Sequence, residues 1–564
     1  MKPYLYEKDK DGNRSIHPDK YEFLVYRLES GDIYVSDSLL FRSFDEDLIP
    51  RETWKRDKER ILQDIDAPFL SKPMAEVLRD MEKELEAKYE EVNRRILSGE
   101  NPHIKLSKKK NGETSWTLPY VGEEETVNNP FFDEVPQVHI AQLLQFVDSR
   151  CQCLGAFTHI LQRYAKTPLD RHAVVACPIA YGTKIGLGKM GSISDMSYQA
   201  LFAATNNFLR PETVRDGNDR VSNATAKLPI FRHYNIGDII HSSSDGQKFE
   251  TQIHTLRSRH SPKYFGLKKG ITNYTGVANH VPFNARIIGA NESESHYVYD
   301  ILANNTTDIR PNAHSTDTHG TNEVNFVILA AFDYMYAPRY RDIRDKMGTL
   351  YGFKHPSKYD GEFLLKPKSK SNAKLILDEE DNIKHILASL AKKVTSQSVI
   401  IGKLSSYARK NRTKKALWEL DNLYRSRYLL NYVDSLPLRR NVQRALNRGE
   451  SYHKLVRAVA YANGGRLRVR TDLEQELWSE CSRFLANCVI YYNACILSEL
   501  LEYAEREKNI DLADRIKQIS PVSWKHVNFY GEYTFRDIGD VIDLEEMIRR
   551  LVTLKQDNNA KIAG

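Results

Sequence analysis

The chain has 564 residues, of which 41% are hydrophobic and 28% charged, and its formal net charge is +7. This composition is that of a soluble globular protein, and the length exceeds the roughly 250–300 residues at which a single core stops growing, so we expect several domains. The mild basicity suits a polyanionic partner but does not require one.

Targeting and redox features predict a cytoplasmic protein. Residues Met1 to Arg14 are nearly all polar and lack the apolar segment of a signal peptide. The longest apolar run, near Cys488–Leu497, is interrupted by Asn493 and is too short for a bilayer of about 30 Å, so no membrane partner is predicted. Six cysteines in this length indicate a reduced compartment.

The first 225 residues are predicted to form two helix-rich regions. Residues 1–130 read as a mixed and helical connecting region, with a long charged helix from Ala75 to Leu97. Helical patterning then dominates Val138–Tyr164 and Met196–Leu209, which predicts a helical layer over 131–225.

Residues 226–335 are predicted to form the first half of an α/β core. The elements follow in this order: a strand at Ile236–Ile240 that ends with Asp245, strands at Lys263–Tyr274 and Val281–Ile288, a helix at Ser293–Ala303, and a short strand that ends with Asp317.

The remaining chain is predicted to be mainly helical. An insertion over 336–440 shows helical periodicity, and 441–510 would complete the core. In that second half, Glu450 is expected near the start of a helix whose apolar side docks on the sheet. Residues 511–564 form a predicted C-terminal helical region.

Three acidic residues stand in distinctive settings along these elements. Asp245 lies in His-Ser-Ser-Ser-Asp-Gly-Gln, Asp317 in His-Ser-Thr-Asp-Thr-His-Gly, and Glu450 in Leu-Asn-Arg-Gly-Glu. The order of elements is that of an RNase H-like nuclease core, a mixed sheet with flanking helices. Mg²⁺ prefers oxygen ligands, and a pair of ions can stabilise both the attacking and the leaving oxygen at phosphorus. We therefore expect the three carboxylates to hold two Mg²⁺ ions, for which Mn²⁺ can substitute.

Around these residues the sequence resembles the DDE transposases of the Tn-three type, the replicative transposases of bacterial transposons. The matching motifs occur in family order. They are Ala156-Phe157-Thr158-His159, Ile185-Gly186-Leu187-Gly188-Lys189-Met190, Ser243-Ser244-Asp245-Gly246-Gln247, Lys263-Tyr264-Phe265-Gly266, Thr316-Asp317-Thr318, Ala337-Pro338-Arg339, Leu446-Asn447-Arg448-Gly449-Glu450, Tyr491-Tyr492-Asn493 and Ile519-Ser520-Pro521 with Trp524 and His526.

The resemblance implies that Asp245, Asp317 and Glu450 are catalytic residues and metal ligands. Water would cut the DNA strand at the transposon 3′ end, and the freed 3′-hydroxyl would attack target DNA, with a cointegrate as the product. The chain would act as a homo-oligomer on DNA, associated with the bacterial nucleoid. Family members run to nearly twice this length, so we expect this chain to match their C-terminal catalytic part without the modules that recognise transposon ends.

Two positions depart from the family pattern. His319 stands where the family usually has a second glycine, and Ala278-Asn279 stand where it has a Ser-Asp pair. Neither change removes a catalytic carboxylate, but both affect the expected geometry of a loop.

Other interpretations of the same residues remain open in the sequence. Asp245 in Ser-Asp-Gly suits an ordinary turn, and Glu450 suits stabilisation of a helix N-terminus. A zinc site formed by His314, Asp317 and His319 would leave Asp245 and Glu450 unexplained.

Three further patterns are not taken as functional sites. Gly182–Met190 fails the P-loop spacing, so no nucleotide cofactor is predicted. The run Ser242–Ser244 lacks the Gly-x-Ser-x-Gly setting of a serine nucleophile. Cysteines spaced by seven, at Cys481, Cys488 and Cys495, suit one buried helical stripe better than a metal site.

Basic clusters in the predicted insertion suit contacts to the DNA backbone. The residues predicted to bind DNA are Lys403, Arg409, Lys410, Arg412, Lys414 and Lys415.

The favoured function is metal-dependent DNA cleavage at transposon ends and strand transfer into target DNA. Two alternatives are a truncated, inactive remnant that still binds DNA and a metal-dependent nuclease that cuts without joining.

Overall fold

The structure is a computed structural model. It describes residues 6–8, 14–16, 24, 28, 33–35, 38, 41–65, 67–108, 110, 114–119, 128–161, 163, 170–359, 363–406, 411–462, 467, 469–536 and 542–552. The chain divides into two compact units. The first unit comprises Met1–Val121, Ser295–Asp300 and Asp317–Arg439, and the second comprises Gly122–Glu294, Ile301–Thr316 and Arg440–Gly564.

Helices are the most abundant elements of both units. Those within the first unit are Arg51–Gln63, Pro68–Ser71, Met74–Leu97, Asn325–Ala331, Ile343–Met347, Ala373–Asp378, Glu380–Ala391, Gln397–Ser406 and Arg412–Asp434. Those within the second are Ile140–Cys151, Arg171–Gly182, Leu187–Ser192, Tyr198–Phe208, Pro211–Ala226, Pro262–Phe265, Asp472–Arg506 and Ile510–Lys517. Two more helices are Val298–Ala303 and Leu436–Tyr461.

The strands of the first unit are short. They are Tyr6–Lys8, Arg14–Ile16, Lys105–Lys108, Thr114–Thr117, Met335–Tyr336, Tyr351–Gly352 and Ser369–Lys370. Longer strands occur in the second unit, which contains Val138–His139, His241–Glu250, Arg259–His260, Lys269–Ala278, Val281–Gly289, Ala313–Ser315 and Val527–Asn528.

A long charged helix, Met74–Leu97, organises the first unit and confirms the helix predicted from Ala75. It buries an apolar stripe along one side and packs against the helix Arg412–Asp434. Polar contacts fix its position, since Arg95 Nη1 lies 2.8 Å from Asp434 Oδ2 and the Tyr89 hydroxyl donates to the Tyr351 carbonyl at 2.9 Å.

The second unit is built on a mixed sheet. Its central strand, His241–Glu250, pairs antiparallel with Lys269–Ala278, which in turn pairs antiparallel with Val281–Gly289. On its other edge the central strand pairs in parallel with Ala313–Ser315, and Ser243 is opposite Ser315. The predicted α/β class is therefore confirmed, with both pairing directions in one sheet.

Two predicted strands begin later than the sequence suggested. The run Ile236–Ile240 is not a strand, because Gly237 and Asp238 have φ angles of 62° and 64°, which turn the chain back so that Ile236 bridges Ile239. The central strand starts only at His241, so Asp245 lies in its middle.

The strand predicted from Lys263 begins at Lys269. The preceding residues form the helical turn Pro262–Phe265, because Pro262 suits the first turn of a helix. Gly266, at φ 58°, ends the turn.

The helix Asp472–Arg506, here called the core helix, runs through the centre of the second unit. Thr471 and Glu474 form a capping box at its start. The three cysteines spaced by seven are buried on it, as predicted. It packs against the helices Arg171–Gly182 and Pro211–Ala226 and the strand Val281–Gly289.

The core helix also corrects the sequence-based argument about membranes. With 35 residues, this helix is long and apolar enough to cross a bilayer, although the apolar run near Cys488–Leu497 that was identified in the sequence is too short to do so. However, 94% of its most apolar window is buried inside the protein, as in the core helix of a globular protein. This helix is weak evidence for a membrane span.

A buried ion pair on the core helix provides a test of this packing. Arg483 Nη2 lies 2.6 Å from Glu480 Oε2, and both side chains are almost fully buried. We expect Arg483→Met to lower the free energy of unfolding by about 3–5 kcal/mol, because it leaves the Glu480 carboxylate buried without its main partner. Urea unfolding of this variant and of Arg483→Met/Glu480→Gln measures the effect. The double variant should recover most of the loss, and equal stability of the single variant and the wild type would contradict this account.

Candidate active site

Asp245 projects from the central strand toward the helix Leu436–Tyr461, here called the Glu450 helix. Alternate side chains share one face of a strand, so Ser243, Asp245 and Gln247 point the same way. The Ser243 hydroxyl donates to the Ala445 carbonyl at 2.7 Å, and Gln247 Nε2 donates to the His453 carbonyl at 2.9 Å. Asp245, between these two anchors, therefore faces the helical turn that carries Glu450.

Gly449 permits this close approach of helix and strand. A Cβ atom at this position would lie 3.1 Å from Ser243 Oγ, which is tighter than ordinary side-chain packing. The glycine before Glu450 is thus explained by packing.

The prediction that Glu450 lies near a helix start is wrong. Glu450 is in the middle of a helix that runs from Leu436 to Tyr461, because Asn447, Arg448 and Gly449 continue the helix. Arg448 is held there by its Nη1 atom, which donates to the Tyr234 carbonyl at 2.5 Å, and Ser451 Oγ donates to the Asn447 carbonyl at 2.9 Å. Because Glu450 lies in the middle of the helix, it does not stabilise a helix N-terminus, which was the alternative interpretation of this residue.

The Asp245 carboxylate lies among polar groups of the second unit. Its Oδ1 accepts the Gly246 N–H at 2.9 Å, and Glu294 Oε2 accepts the same N–H at 3.1 Å. Its Oδ2 lies 3.6 Å from His453 Nδ1. The Asp245 side chain is 39% exposed, so one side of this carboxylate faces solvent.

His453 is uncharged at neutral pH. Burial lowers the pKa of its imidazole to about 4, with a further lowering from Arg457 and an opposing effect from Glu450. A neutral imidazole does not neutralise the carboxylate beside it. The site therefore combines the exposed Glu450 and the part-exposed Asp245 without a compensating histidine cation.

Glu294 extends this polar cluster. Its Oε1 lies 3.4 Å from Lys248 Nζ, and each of these side chains is only 14% exposed. A Cβ atom on Gly246 would lie 2.3 Å from that same Oε1, so only glycine fits after Asp245. Glu294 thus supports the backbone directly next to Asp245.

The opposite face of the central strand is occupied by a histidine–serine network. Both ring nitrogens of His314 bond serine hydroxyls, Nδ1 with Ser242 Oγ and Nε2 with Ser244 Oγ, each at 2.8 Å. On the same face as Asp245, His241 Nε2 bonds Ser315 Oγ at 2.8 Å. These contacts join the strand Ala313–Ser315 to the central strand by side chains as well as by backbone.

This network excludes the open zinc interpretation and agrees with setting aside a serine nucleophile. His314 is fully buried and both of its nitrogens are bonded, so it does not act as a zinc ligand. Ser242 and Ser244 are buried partners of His314, and the buried Ser243 donates to the Ala445 carbonyl, which does not suit a serine nucleophile.

Asp317 lies in the first unit, where it begins the short 3-10 helix Thr318–Gly320. Its Oδ1 accepts the N–H groups of His319 and Gly320 at 2.9 and 3.0 Å. Thr318 Oγ1 donates to the Arg339 carbonyl at 3.0 Å, which fixes the loop that follows. The Asp317 side chain is part-exposed, and its position is set by backbone bonds.

The two departures from the family pattern are accommodated. His319 is exposed and has an ordinary negative φ, so its backbone does not need the usual glycine. Asn279 has φ 45°, a region that asparagine tolerates, and its Nδ2 donates to Asn235 Oδ1 at 2.7 Å.

The three predicted carboxylates are divided between the two units, with Asp245 and Glu450 in the second and Asp317 in the first. Across the parts of the chain that the structure describes, no group of three or more His, Cys, Asp or Glu side chains is close enough to hold a metal ion. Convergence of all three carboxylates therefore stays a prediction.

The sequence profile of the Tn3 transposase DDE domain matches residues 142–533, which is more than half of the chain. The chain belongs to this family. The match confirms the resemblance to DDE transposases of the Tn-three type.

Several relatives of known name are similar over most of this chain. The transposase for transposon Tn1546 of Enterococcus faecium is 27% identical over 95% of this chain and 53% of its own length. Two transposases from Escherichia coli are each 28% identical to this chain. For the transposase of transposon Tn2501 the match covers 92% of this chain and 52% of the relative. For that of transposon Tn21 it covers 90% of this chain and 51% of the relative. This DDE-domain chain thus spans about half the length of the relatives it matches.

The basic residues predicted to bind DNA differ in how they are placed. Lys403 is buried, pairs with Asp47, and also donates to the Arg42 carbonyl at 2.8 Å, so its ammonium does not face DNA. Arg412 is exposed but pairs with Asp378 at 3.2 Å and Glu379 at 3.1 Å. Lys415 is exposed and Lys414 half-buried. Arg409 and Lys410 lie outside the described residues.

Sequence reasoning missed His453 and Glu294. The signal for His453 was its spacing, since a residue three positions after Glu450 lies on the same side of a helix. Glu294 gave no comparable signal, because it approaches Gly246 from a distant part of the sequence.

The buried histidines beside the site predict a loss of stability in acid. Burial lowers the pKa of His241 to about 4 and that of His314 to about 3. In the unfolded chain these groups titrate near 6.5, so the unfolded state binds protons first as the pH falls. Their stabilising contribution is therefore present above about pH 6.5 and is lost progressively toward pH 4.

We expect the free energy of unfolding to fall by roughly 2 kcal/mol per buried histidine between pH 7 and pH 5, as measured by urea titration. The exposed His254 provides a matched control, and His254→Gln should keep the wild-type pH dependence. Stability that is unchanged between pH 7 and pH 5 would show that these histidines are not held neutral.

Proposed function

We propose that this chain is the catalytic part of a DNA transposase, a polynucleotidyl transferase that cuts DNA at transposon ends and joins the freed 3′ ends to target DNA. The observation that carries the proposal is the packing of the Glu450 helix on the central strand, which brings the Glu450 turn to the Asp245 side of the sheet. Membership of the family supports the reaction class.

Asp317 is proposed as the third carboxylate of the same site. Ser315 pairs with Ser243 in the parallel ladder, and each aspartate follows its serine by two residues. Asp317 lies two residues beyond the end of its strand and Asp245 lies within the neighbouring parallel strand, an arrangement that would let one site use both carboxylates. Within the described residues, no hydrogen bond is made to Asp317 Oδ2, because both backbone N–H groups bond Oδ1.

The donor set fits divalent cations such as Mg²⁺ or Mn²⁺. Asp245, Asp317 and Glu450 offer only oxygen donors, all three are at least part-exposed, and the neighbouring His453 is neutral. When bound, a pair of such ions would activate the attacking oxygen and stabilise the leaving one.

The chain's own residues would keep this site in shape. Gly449 lets the Glu450 helix lie close to the strand, and Ser243 and Gln247 hold it there. The Gly246 N–H and the buried Glu294–Lys248 pair hold the Asp245 backbone. We further propose an RNase H-like arrangement for the mixed sheet, a homo-oligomer on DNA, and action in the bacterial cytoplasm where the DNA is.

Replacing any proposed metal ligand tests this function. We expect Asp245→Asn, Asp317→Asn and Glu450→Gln each to abolish cleavage and joining, because each removes one anionic oxygen ligand. The assay combines the protein, a pre-cut transposon-end duplex, a target plasmid and Mg²⁺ or Mn²⁺. Glu502→Gln, which changes an exposed glutamate on the core helix, is the matched control and should react like the wild type. Near-wild-type joining by any of the three variants would remove that residue from the catalytic set.

The same assay separates the proposed function from its alternatives. Joined product supports a transposase, nicking without joining supports a nuclease, and a DNA mobility shift without chemistry supports an inactive remnant.

Removal of metal provides a further prediction. Dialysis against EDTA should abolish both reactions, and added Mg²⁺ or Mn²⁺ should restore them, because the ions would activate the attacking oxygen and stabilise the leaving one. DNA binding measured by fluorescence anisotropy should persist in EDTA. Full joining activity after chelation would contradict the metal-dependent mechanism.

A further inference from the structure

The connection between the central strand and the strand Lys269–Ala278 has an unusual composition. We call residues 251–268 the basic loop. Its 18 residues include four Lys or Arg and no Asp or Glu. These cations are Arg257, Arg259, Lys263 and Lys268.

The basic loop also exposes large apolar side chains. Leu267 is 94% exposed and Leu256 is 82% exposed, the two highest values for large hydrophobic residues in the described chain. Tyr264 is 51% exposed. Large apolar side chains exposed to this extent on one loop suit an interaction site.

Hydrogen bonds hold the basic loop in one conformation. Ser258 Oγ bonds Thr251 Oγ1 at 3.1 Å and accepts the Thr255 N–H at 3.2 Å. The start of the core helix also contacts the loop. Asp472 Oδ1 accepts the Arg257 N–H at 3.2 Å. Gln475 Nε2 donates to Thr255 Oγ1 at 2.9 Å. The exposed leucines are thus presented by an ordered support.

Contacts connect the basic loop to the Asp245 cluster. Lys248 Nζ lies 4.9 Å from the centre of the Tyr264 ring, a cation–π distance. The same ammonium is 3.4 Å from Glu294, whose other oxygen accepts the Gly246 N–H beside Asp245. Lys248 projects from the face of the strand opposite Asp245, but this series of contacts ends at the Gly246 N–H, which Asp245 Oδ1 also accepts. The loop is therefore linked to the backbone next to Asp245.

We propose that the basic loop binds the DNA next to the reacting phosphodiester. In this proposal Arg259 and Lys263 contact phosphates, and Leu256 and Leu267 pack against base faces that are exposed where the duplex opens. Among the described residues, no carboxylate pairs with Arg259 or Lys263. Arg259 Nη1 donates to the Leu256 carbonyl and Lys263 Nζ lies 5.2 Å from the centre of the Tyr264 ring, so neither positive charge is neutralised by an acid. Apolar side chains that enter between bases are a general means of holding a distorted duplex.

We infer that the ligand of the basic loop is DNA, because the loop carries positive charge and is linked by contacts to the backbone next to Asp245. Arg257 pairs with Glu476 and Lys268 pairs with Glu250 at 2.9 Å. The charges of Arg259 and Lys263 remain to complement a polyanion. The loop adjoins the carboxylate to which the DNA substrate would be brought, and this step rests on the proposed function. A second copy of the chain docking through the leucines is the competing outcome.

The test compares Leu256→Ala/Leu267→Ala with Ile510→Ala/Tyr530→Ala in the full chain. The control pair is also exposed, at 73% and 58%, but lies outside the loop. The DNA is a nicked duplex with 2-aminopurine next to the free 3′-hydroxyl, whose fluorescence rises when the base is unstacked. We expect the wild type and the control to raise this fluorescence and the loop variant to lose the increase, with at least a tenfold fall in joining. Urea unfolding should be unchanged, since the replaced side chains are exposed.

Lys263→Gln provides a second measurement. Loss of one phosphate contact should lower the slope of log affinity against log salt by about one and weaken binding to all duplexes similarly. The proposal is overturned if the loop variant keeps the fluorescence increase, or if sedimentation shows that only its oligomeric state has changed. If the wild type fails to join DNA, the proposed function fails, while the fluorescence and salt measurements still decide whether the loop binds DNA.

Discussion

The packing of the Glu450 helix on the central strand is the constraint on which the proposed site depends. The helix is held at two points, by the Ser243 hydroxyl on the Ala445 carbonyl and by Gln247 on the His453 carbonyl, with Asp245 between them on the strand. Gly449 allows this spacing, because a larger residue would press against Ser243. A shift of the helix by one turn, about 5.4 Å, would remove Glu450 from the level of Asp245.

Buried polar groups on both faces of the central strand make this arrangement specific. On the rear face, His314 bonds two serines of the strand through its two nitrogens, so the strand Ala313–Ser315 is matched to one register. Also on the rear face, Lys248 pairs with the Glu294 carboxylate, which accepts the backbone N–H next to Asp245. On the front face, His241 bonds Ser315. Such groups cost free energy when they lack partners, which disfavours other registers.

The sequence predicted the parts of the molecule that follow local patterns. The helix Met74–Leu97, the strand Val281–Gly289 and the buried cysteine stripe all follow from periodicity, and all three were confirmed. The positions of Gly237 and Asp238 were misread because a left-handed turn inside an apolar run leaves no periodic signal. The helix around Glu450 was expected to start near Asn447-Arg448-Gly449, yet tertiary contacts of Arg448 and Gly449 keep those residues helical.

The sequence predicted which residues would form the candidate site, but it did not predict how they are arranged. Nothing local in the sequence places Glu294 beside Gly246 or makes Lys403 a buried partner of Asp47, because both contacts join distant segments. The central claim is that Asp245 and Glu450 belong to one metal site rather than acting separately. A double-mutant cycle on Mn²⁺ affinity, measured by calorimetry with Asp245→Asn, Glu450→Gln and the double variant, tests this claim most directly. The account predicts strong coupling, with each single change weakening binding nearly as much as both together. Independent, additive losses, or no loss at all, would contradict it.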